Sequence, residues 1–308
     1  MAPDGVTDGI VDGMADGVVV GIDAGGSATR ARAVRAGALV HEGAGGPGNP
    51  LMAGPEVIEA SYQAALAGCP AADRVAACVS GAGGDPQRAQ VAAVLAGRFP
   101  AAEVRVAPDY VAAFLAAPRG SDVCIVAGTG SVVCSRADDG SFVASGGRGW
   151  ILGDHGGAAR LGRAALEHYV TGPEGVPAGF AAAVAALTGG RDWRSVVRAV
   201  HGAANPAPLL ARAAPLLTAA ADDGQAWAVR ELDGQMTTLA ATATGHIGRY
   251  LGGRPGVRVA LSGGVWASPA ARAALTTALQ RLSAGRVTVA RSSGDPLAGA
   301  VALAGTPA

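Results

Sequence analysis

The stretch VVVGIDAGGS at residues 18–27 runs from an apolar segment into a tight glycine turn and a serine. A second stretch, VCIVAGTGS at residues 123–131, repeats this layout. In both places the residues that follow predict another strand, so each stretch opens as a β-hairpin. A single repeat at this long spacing indicates a duplicated domain, because solenoid repeats recur every ~20–50 residues.

The pattern between and after the two hairpins predicts an α/β protein. In the first half, helices over 55–66 and 86–98 alternate with strands over 74–79 and 103–107. In the second half, helices dominate from Ala158 to Leu251 before two more strands and two more helices. Two related α/β halves suit a ligand held in a cleft between them.

Composition excludes several classes of site. The chain of 308 residues has a formal net charge of zero and contains no lysine, so all of its 24 Lys+Arg residues are arginine. A lysine-bearing phosphate loop, a protein-kinase active site and a Schiff-base lysine are therefore impossible. Zero net charge gives no electrostatic case for a nucleic-acid partner.

The N-terminus and the cysteines favour a cytoplasmic protein with no membrane partner. The chain shows neither a long uninterrupted apolar segment nor the layout of a signal peptide. From Asp4 to Asp16 an aspartate followed by glycine recurs every four residues. This pattern predicts that residues 1–16 form a mobile acidic tail. The four cysteines form no CxxC pair, which favours a reducing compartment. No histidine spacing predicts a structural zinc.

The first glycine turn has the groups that a nucleotide phosphate needs. Gly25 and Gly26 let backbone N–H groups approach a phosphate, since no Cβ intrudes. Ser27 and Thr29 can add hydroxyl donors, and Asp23 can hold Mg²⁺ through water. An ordinary hairpin turn is the alternative interpretation. The same two interpretations apply to Gly128–Ser131, and their recurrence in both halves favours the phosphate site.

Two acidic residues are candidates for chemistry on an acceptor hydroxyl. Asp109 follows a strand and precedes a helical run, so it either caps the helix or acts as a general base at the strand's carboxyl end. Asp154 lies in the glycine-rich stretch Gly146–Gly157, which we expect to be a loop against a ligand. There it can accept hydrogen bonds from sugar hydroxyls, and the next helix can direct its N-terminus at phosphate.

Two further glycine segments complete the candidate set. Residues 43–48 fit the GxGxxG pattern, but Pro47 and Pro50 disfavour the helix that a dinucleotide site requires. We interpret this segment as a loop that presents Asn49 to a sugar. The sequence SGGV at 262–265 follows a strand and suits either an adenosine contact or a plain strand–turn–helix junction.

Taken in order, GIDAGGSAT, Asp109, AGTGS, GGRGWILGD and LSGGV resemble the BadF/BadG/BcrA/BcrD-type ATPase family, in its N-acetylglucosamine kinase branch. The resemblance runs from about residue 17 to residue 300. It implies two duplicated ribonuclease-H-like (actin-like ATPase) domains with an inter-domain cleft, and ATP and Mg²⁺ as cofactors. The expected N-terminal domain comprises residues 17–117 with about 293–308, and the C-terminal domain comprises residues 118–292.

The resemblance also implies a role for each matching residue. ATP phosphates or their metal would contact Asp23, Gly25, Gly26, Ser27, Thr29, Thr129 and Gly130. The sugar would contact Asn49, Asp109, Ser131, Gly147, Gly149 and Asp154. Asp109 would be the catalytic base, and Gly263 and Gly264 would line the adenosine pocket. The implied reaction phosphorylates the 6-hydroxyl of N-acetylglucosamine or glucosamine, in an enzyme that can form a homodimer.

The first turn departs from the family pattern at Ser27 and Ala28, the glycine-rich stretch departs from it at His155, and three alternatives stay open. The family continues GDEGS, whereas this chain has His155 in place of the acidic residue. A catalytically silent sugar sensor is therefore one alternative. The ATPase activator of a 2-hydroxyacyl-CoA dehydratase, with an iron–sulfur cluster, is another. A zinc-containing glucokinase-type enzyme is disfavoured because its cysteine cluster is missing.

Overall fold

The chain divides into two compact units, each with its own sheet and core. The computed structural model describes residues 17–172, 178–252, 254, 256–291 and 294–306. The first unit runs to Ala116 and includes the C-terminal residues from Gly294 onward, and the second unit comprises Ala117–Ser293. The acidic tail predicted at residues 1–16 lies outside the described residues.

The first unit is built on a five-stranded sheet in the order β3-β2-β1-β4-β5. Strands β1 to β3 form an antiparallel meander, whereas β4 is parallel to β1 and β5 is parallel to β4. The five strands are β1 (Val18–Ala24), β2 (Thr29–Arg35), β3 (Ala38–Gly45), β4 (Arg74–Val79) and β5 (Glu103–Pro108).

Among the described residues, four helices complete the first unit, three of them before residue 117 and one near the end of the chain. A core on one side of the sheet buries Ile22, Ile58, Tyr62 and Leu95. Burial of such side chains is the main favourable term in folding. The helices are α1 (Pro55–Ala65), α2 (Asp85–Arg98), α3 (Asp109–Leu115) and α11 (Pro296–Gly305).

The second unit has a sheet of the same topology. Its order is β10-β9-β6-β7-β8, with an antiparallel meander β6 to β8, with β9 parallel to β6 and with β10 parallel to β9. The strands are β6 (Val123–Ala127), β7 (Ser131–Arg136), β8 (Phe142–Gly146), β9 (Val257–Ser262) and β10 (Val287–Arg291). The duplicated α/β fold predicted from the two hairpins is therefore confirmed.

Helices separate the meander of the second unit from its last two strands and supply most of its core. That core includes Leu161, Leu217, Met236 and Trp266, all nearly without solvent exposure. The helices are α4 (Gly149–Leu152), α5 (Ala158–Val170), α6 (Ala178–Thr188), α7 (Trp193–Gly202), α8 (Ala207–Asp222), α9 (Ala226–Tyr250) and α10 (Pro269–Leu282), with a 3-10 turn at Gly264–Ala267.

The C-terminal helix α11 packs against β1 and α3 through two glycines. A Cβ on Gly21 of β1 would lie 2.3 Å from the backbone nitrogen of Val301. A Cβ on Gly299 would lie 2.0 Å from the carbonyl oxygen of Ala112. Backbone therefore meets backbone at both places, and any side chain there would force the elements apart.

Two local predictions need correction. Strand β3 extends through Gly45, so half of the predicted 43–48 loop is paired with β2. The glycines allow this because α1 lies against the strand: a Cβ on Gly45 would be 2.0 Å from the Ser61 carbonyl oxygen. The glycine-rich stretch after β8 contains the short helix α4 and is not a simple loop. None of the described helices combines the length and apolarity that a membrane crossing demands.

Candidate functional site

The turn between β1 and β2 leaves Gly26 and Ser27 exposed. It is closed by a 2.8 Å hydrogen bond from the Gly25 amide to the Ala28 carbonyl oxygen. Neither glycine has a positive φ, and a Cβ on Gly26 would meet no described atom within 4 Å. Nothing within the described fold demands glycine at Gly26, so the backbone of this turn is open to an external group.

Thr29 does not present its hydroxyl to that turn. Its side chain is fully buried, and Oγ1 has no hydrogen-bond partner among the residues that the structure describes. The hydroxyl faces the backbone of Gly48, where a Cβ would lie 2.5 Å from Oγ1. The prediction that Thr29 donates to a phosphate is therefore not met, because β2 turns this side chain into the core.

Asp23 is the penultimate residue of β1, close to the exposed turn, and it pairs with a cation that sequence reasoning overlooked. Its Oδ2 lies 2.7 Å from Nη2 of Arg30 on β2, and the same guanidinium lies 3.0 Å from Oδ1 of Asp295. The side chain of Asp23 retains 22% exposure. No cluster of three His, Cys, Asp or Glu side chains suited to a metal occurs among the described residues. Mg²⁺ usually keeps several waters and uses one or two protein carboxylates, so a single partly exposed carboxylate fits a water-mediated contact with it.

Asp109, Ser80 and Asn49 form a hydrogen-bonded chain in the first unit. Asp109 is the first residue of α3 after β5, and Ser80 follows the neighbouring parallel strand β4. The Ser80 hydroxyl donates to the Asp109 carboxylate, and Nδ2 of Asn49 donates to Oγ of Ser80 over 3.4 Å. Ends of parallel strands meet at one edge of the sheet, which is why these residues converge.

The carboxyl group of Asp109 is more basic than an ordinary aspartate. Burial raises its pKa, and the charge of Asp23 raises it further. Hydrogen bonds from the Tyr110 amide and the Ser80 hydroxyl oppose the shift of the pKa. The residue keeps partial exposure. A partly exposed carboxylate with a raised pKa is suited to accept a proton from a hydroxyl. The N-cap position of α3 is Pro108, so Asp109 is the first residue of the helix and not its N-cap.

Asn49 is held from several sides and does not project freely from a loop. It is 7% exposed, and its Oδ1 accepts from the Leu51 amide at 2.9 Å. A Cβ on Gly81 would lie 2.2 Å from the same Oδ1 atom. The structure therefore places Asn49 to orient Ser80, and a sugar contact by its amide stays a prediction. Ser80 itself was missed, although its place directly after an apolar strand was the signal that could have found it.

The second glycine turn contacts the segment that carries Asp154. A Cβ on Gly130 would lie 2.3 Å from Oδ2 of Asp154, and the Ser131 hydroxyl donates to the His155 carbonyl oxygen at 2.8 Å. Thr129 is exposed at the tip of the turn. The structure thus brings Thr129, Gly130, Ser131 and Asp154 together, as four of the candidate residues of one unit.

Helix α5 does not offer a free N-terminus at this turn. The amides of Ala158 and Ala159 donate to the carbonyl oxygens of Gly128 and Thr129 at 2.8 and 2.9 Å. These two donors are used within the protein, which corrects the expectation that the helix N-terminus is directed at phosphate.

Asp154 adopts a positive φ of 54°, a strained conformation that few residues other than glycine adopt. Burial raises its pKa, while the amides of Arg148, Gly149 and Ser131 and the charge of Arg160 act in the opposite direction. Its Oδ1 atom is buried and finds no hydrogen-bond partner within the described part of the chain. A buried acceptor without a partner is costly, so a ligand hydroxyl at this oxygen would be stabilised.

The residues around Asp154 differ in exposure and contact. Gly147 and Gly149 are exposed, and the Gly147 amide donates to the Ser131 carbonyl oxygen at 3.0 Å. Nδ1 of His155 lies 3.3 Å from Nη2 of Arg160. Because a guanidinium can only donate, Nδ1 is the acceptor in this pair.

The Gly263–Gly264 pair begins the 3-10 turn after β9. Gly263 has φ 112°, and a Cβ there would lie 2.3 Å from the Ala127 carbonyl oxygen, so the fold itself requires this glycine. Gly264 is exposed, with no described atom within 4 Å of a Cβ. Of the two, Gly264 has the open space that an adenosine contact needs. Trp266 is a buried packing residue, and its Nε1 donates to the Ser262 carbonyl oxygen at 2.9 Å.

Comparisons with solved structures reach across nearly the whole chain. A candidate N-acetylglucosamine kinase from Chromobacterium violaceum is 27% identical, with a TM-score of 0.63, and the match covers 94% of this chain and 99% of that one. A candidate N-acetylglucosamine kinase from Porphyromonas gingivalis is 19% identical, with a TM-score of 0.74, over 92% and 96% of the two chains. A ROK family glucokinase from Streptomyces griseus, in complex with glucose and AMPPNP, is 19% identical, with a TM-score of 0.62, over 94% and 98%.

At 19% identity the last two show the shared fold alone. A comparison with curated proteins found no match. The model of the BadF/BadG/BcrA/BcrD ATPase family matches residues 20–304, which include both glycine turns, Asp109 and Asp154. The family expected from the five motifs is thereby confirmed. This chain belongs to the BadF/BadG/BcrA/BcrD ATPase family.

Proposed function

We propose that the protein transfers the γ-phosphoryl group of ATP to the 6-hydroxyl of an amino sugar, N-acetylglucosamine or glucosamine. The observation that carries the proposal is the Asp109–Ser80–Asn49 chain, which gives an ATPase-family protein a carboxyl group of raised pKa on a partly exposed residue. The 27% identity to a candidate N-acetylglucosamine kinase supports the choice of acceptor.

Each candidate residue has a role in this reaction. Asp109 accepts the proton of the attacking hydroxyl, and Ser80 orients that carboxylate by its hydrogen bond. The exposed turns at Gly25–Ser27 and Thr129–Gly130 offer backbone and hydroxyl donors to the ATP phosphates. Asp154 and Ser131 hold sugar hydroxyls, and Gly264 lies against the adenosine.

Magnesium would be held by Asp23 through water, and when bound it would offset the charge of the phosphates. Arg30 pairs with Asp23 in the same region and fixes the direction of its carboxylate. The protein's own share of catalysis is then to position the two reactants and to remove one proton.

The cysteines do not support the alternative of an iron–sulfur activator. All four, Cys69, Cys78, Cys124 and Cys134, are buried. Burial raises the pKa of the thiols of Cys69 and Cys78. A cluster shared across a subunit interface needs thiolates that reach a surface. None of these side chains does so in the described structure.

The test is ADP release measured with glucosamine, N-acetylglucosamine, N-acetylmannosamine, N-acetylmuramic acid and glucose, with a sugar-free reaction as the background. We expect an amino sugar to stimulate ADP release well above that background, with a phosphate found on its 6-oxygen by NMR. A flat response to every amino sugar contradicts the proposal and leaves the silent sugar sensor, which would still bind a sugar in a calorimeter.

A further inference from the structure

The second unit contains a polar cavity of about 420 Å³ that reaches well beyond Asp154. Its wall is formed by β7, β8, the segment around α4 and the C-terminal half of α9. Ser131, Asp154 and His155 contribute to this wall, and so do Arg249 and Tyr250 of α9. The volume suits a single small ligand.

Two arginines on this wall have no acidic partner. Arg148 and Arg249 are exposed, and neither guanidinium forms an ion pair or a hydrogen bond with any residue in the described ranges. Arg249 lies over the ring of Tyr250, 5.4 Å from its centroid. Arg254, a few residues further along the chain, is by contrast paired with Asp122 at 2.7 Å.

The acid in the cavity does not neutralise these arginines. Asp154 is stabilised by backbone amides and by the charge of Arg160, which also contacts His155. The cavity wall therefore carries two arginines that form no ion pair with any described residue, beside the single carboxylate of Asp154. Hydroxyl groups belong to the same wall, from Tyr250 and from Ser145, whose Oγ is 2.9 Å from Nδ1 of His246.

Guanidinium groups match carboxylate and phosphate in both charge and geometry, since two parallel N–H donors meet two oxygens. Hydroxyl groups beside them suit the polar rim of a sugar ring. We infer that this cavity binds the anionic group of an acidic amino sugar, one that carries a carboxylate or a phosphate in addition to its ring hydroxyls. The sugar half of this inference rests on the proposed function, because Ser131 and Asp154 line the same cavity.

A charge-matched pair of ligands tests the inference. N-acetylmuramic acid and its methyl ester share a ring and a side chain, but the ester lacks the negative charge. Calorimetric titration of the wild type should give a dissociation constant at least about tenfold lower for the acid than for the ester. Added salt should reduce this difference in affinity, because it screens the attraction between the ligand carboxylate and the guanidinium groups.

Arginine variants test which side chain causes the preference for the acid over the ester. Arg249→Gln should reduce the preference for the acid over the ester to about twofold or less. Arg230→Gln is the matched control, since Arg230 is an exposed arginine on the same helix α9 outside the cavity. It should keep the full preference. Thermal unfolding of both variants shows whether Arg249 acts through the end of α9 instead of through the ligand.

Several results would overturn the inference. Equal affinity for acid and ester in the wild type would do so, as would a preference that survives in a variant with both Arg148 and Arg249 changed to Gln. Lactate or inorganic phosphate that binds as tightly as the acidic sugar would refute the sugar assignment. A preference for the acid without any phosphorylation of N-acetylglucosamine would support the cavity and refute the proposed acceptor.

Discussion

Asp109 is a residue whose environment lowers the stability of the fold when its carboxyl group is ionised. Burial and the neighbouring charge of Asp23 raise its pKa from the ordinary value of 3.8, so the fold favours the protonated form. The stabilising contribution of such a group is complete below the unfolded-state pKa and is lost as the pH rises through the raised folded-state pKa. At neutral pH the ionised carboxylate therefore costs stability, which is typical of functional positions.

We predict that Asp109→Asn lowers sugar-dependent ADP release by about 100-fold or more, because the general base is lost. The same variant should be as stable as the wild type at pH 7 or more so, since asparagine keeps an acceptor for Ser80 without the buried charge. Urea denaturation from pH 4 to pH 8 measures this, and the gain should shrink toward low pH. Nucleotide binding should persist.

Asp139→Asn is the control for this residue. Asp139 is exposed, and hydrogen bonds from Ser141 lower the pKa of its carboxyl group. Its replacement should leave ADP release unchanged and should not stabilise the protein. An active Asp109→Asn, or one that unfolds far more easily than the wild type, would contradict the role assigned to Asp109.

Helix α11 acts on the site through its packing. It lies against β1 and against α3, the helix that Asp109 begins, and Gly299 allows its backbone to approach Ala112. Leu297 and Ala300 of α11 are also buried. The position of α3, and with it that of Asp109, therefore depends on a helix that lies far away in the chain.

Gly299→Ala should destabilise the protein by about 1–3 kcal/mol, since the added methyl group would meet the Ala112 carbonyl oxygen at 2.0 Å. ADP release should fall as well, because relief of the clash moves α3. Differential scanning calorimetry and the ADP assay provide the two measurements.

Gly234→Ala is the control for Gly299→Ala, because it makes the same change at an exposed helix position. Gly234 is exposed in α9 with no described atom within 4 Å of a Cβ, and alanine there should raise stability by roughly 0.5–1 kcal/mol. Equal effects from the two substitutions would show that the contact between α11 and α3 is unimportant.

At the scale of the whole molecule, the chain forms two units with separate cores, one from a continuous segment and the other from two separate segments. The second unit is continuous over Ala117–Ser293 and contains all of the core that surrounds Leu217, Met236 and Trp266. The first unit is discontinuous, because α11 returns to it from the end of the sequence. Each unit is of the size at which a single core sustains a fold.

We predict that residues 117–293 fold on their own, with a cooperative thermal transition in circular dichroism. Residues 17–116 alone should not, because they lack the buried side chains of α11. Joining residues 294–306 to residue 116 through a glycine–serine linker should restore a cooperative transition. A non-cooperative 117–293 fragment, or a cooperative 17–116 fragment, would refute this division of stability.

Local sequence determined much of this architecture. Interactions within a few residues determine several of its features, so propensity and pattern were sufficient to predict them. These features are the apolar strands at 18–24 and 123–127, the glycine turns after them and the proline that starts α10. Asp109 was also predictable as a candidate base, because its place after an apolar strand is a local property. The absence of lysine is a property of composition, and by itself it excludes every nucleotide site that depends on a lysine side chain.

The tertiary structure decided what lies around those residues. Thr29 looked like a phosphate donor but points into the core, since the strand's register and not its residue type sets the direction of a side chain. Ser80, Arg30 and Arg249 gained their roles from neighbours that local patterns do not reveal, and the raised pKa of Asp109 comes from burial in the folded unit. Hydrogen bonding, desolvation and charge compensation depend on distances between elements, and only packing of the complete fold fixes those distances.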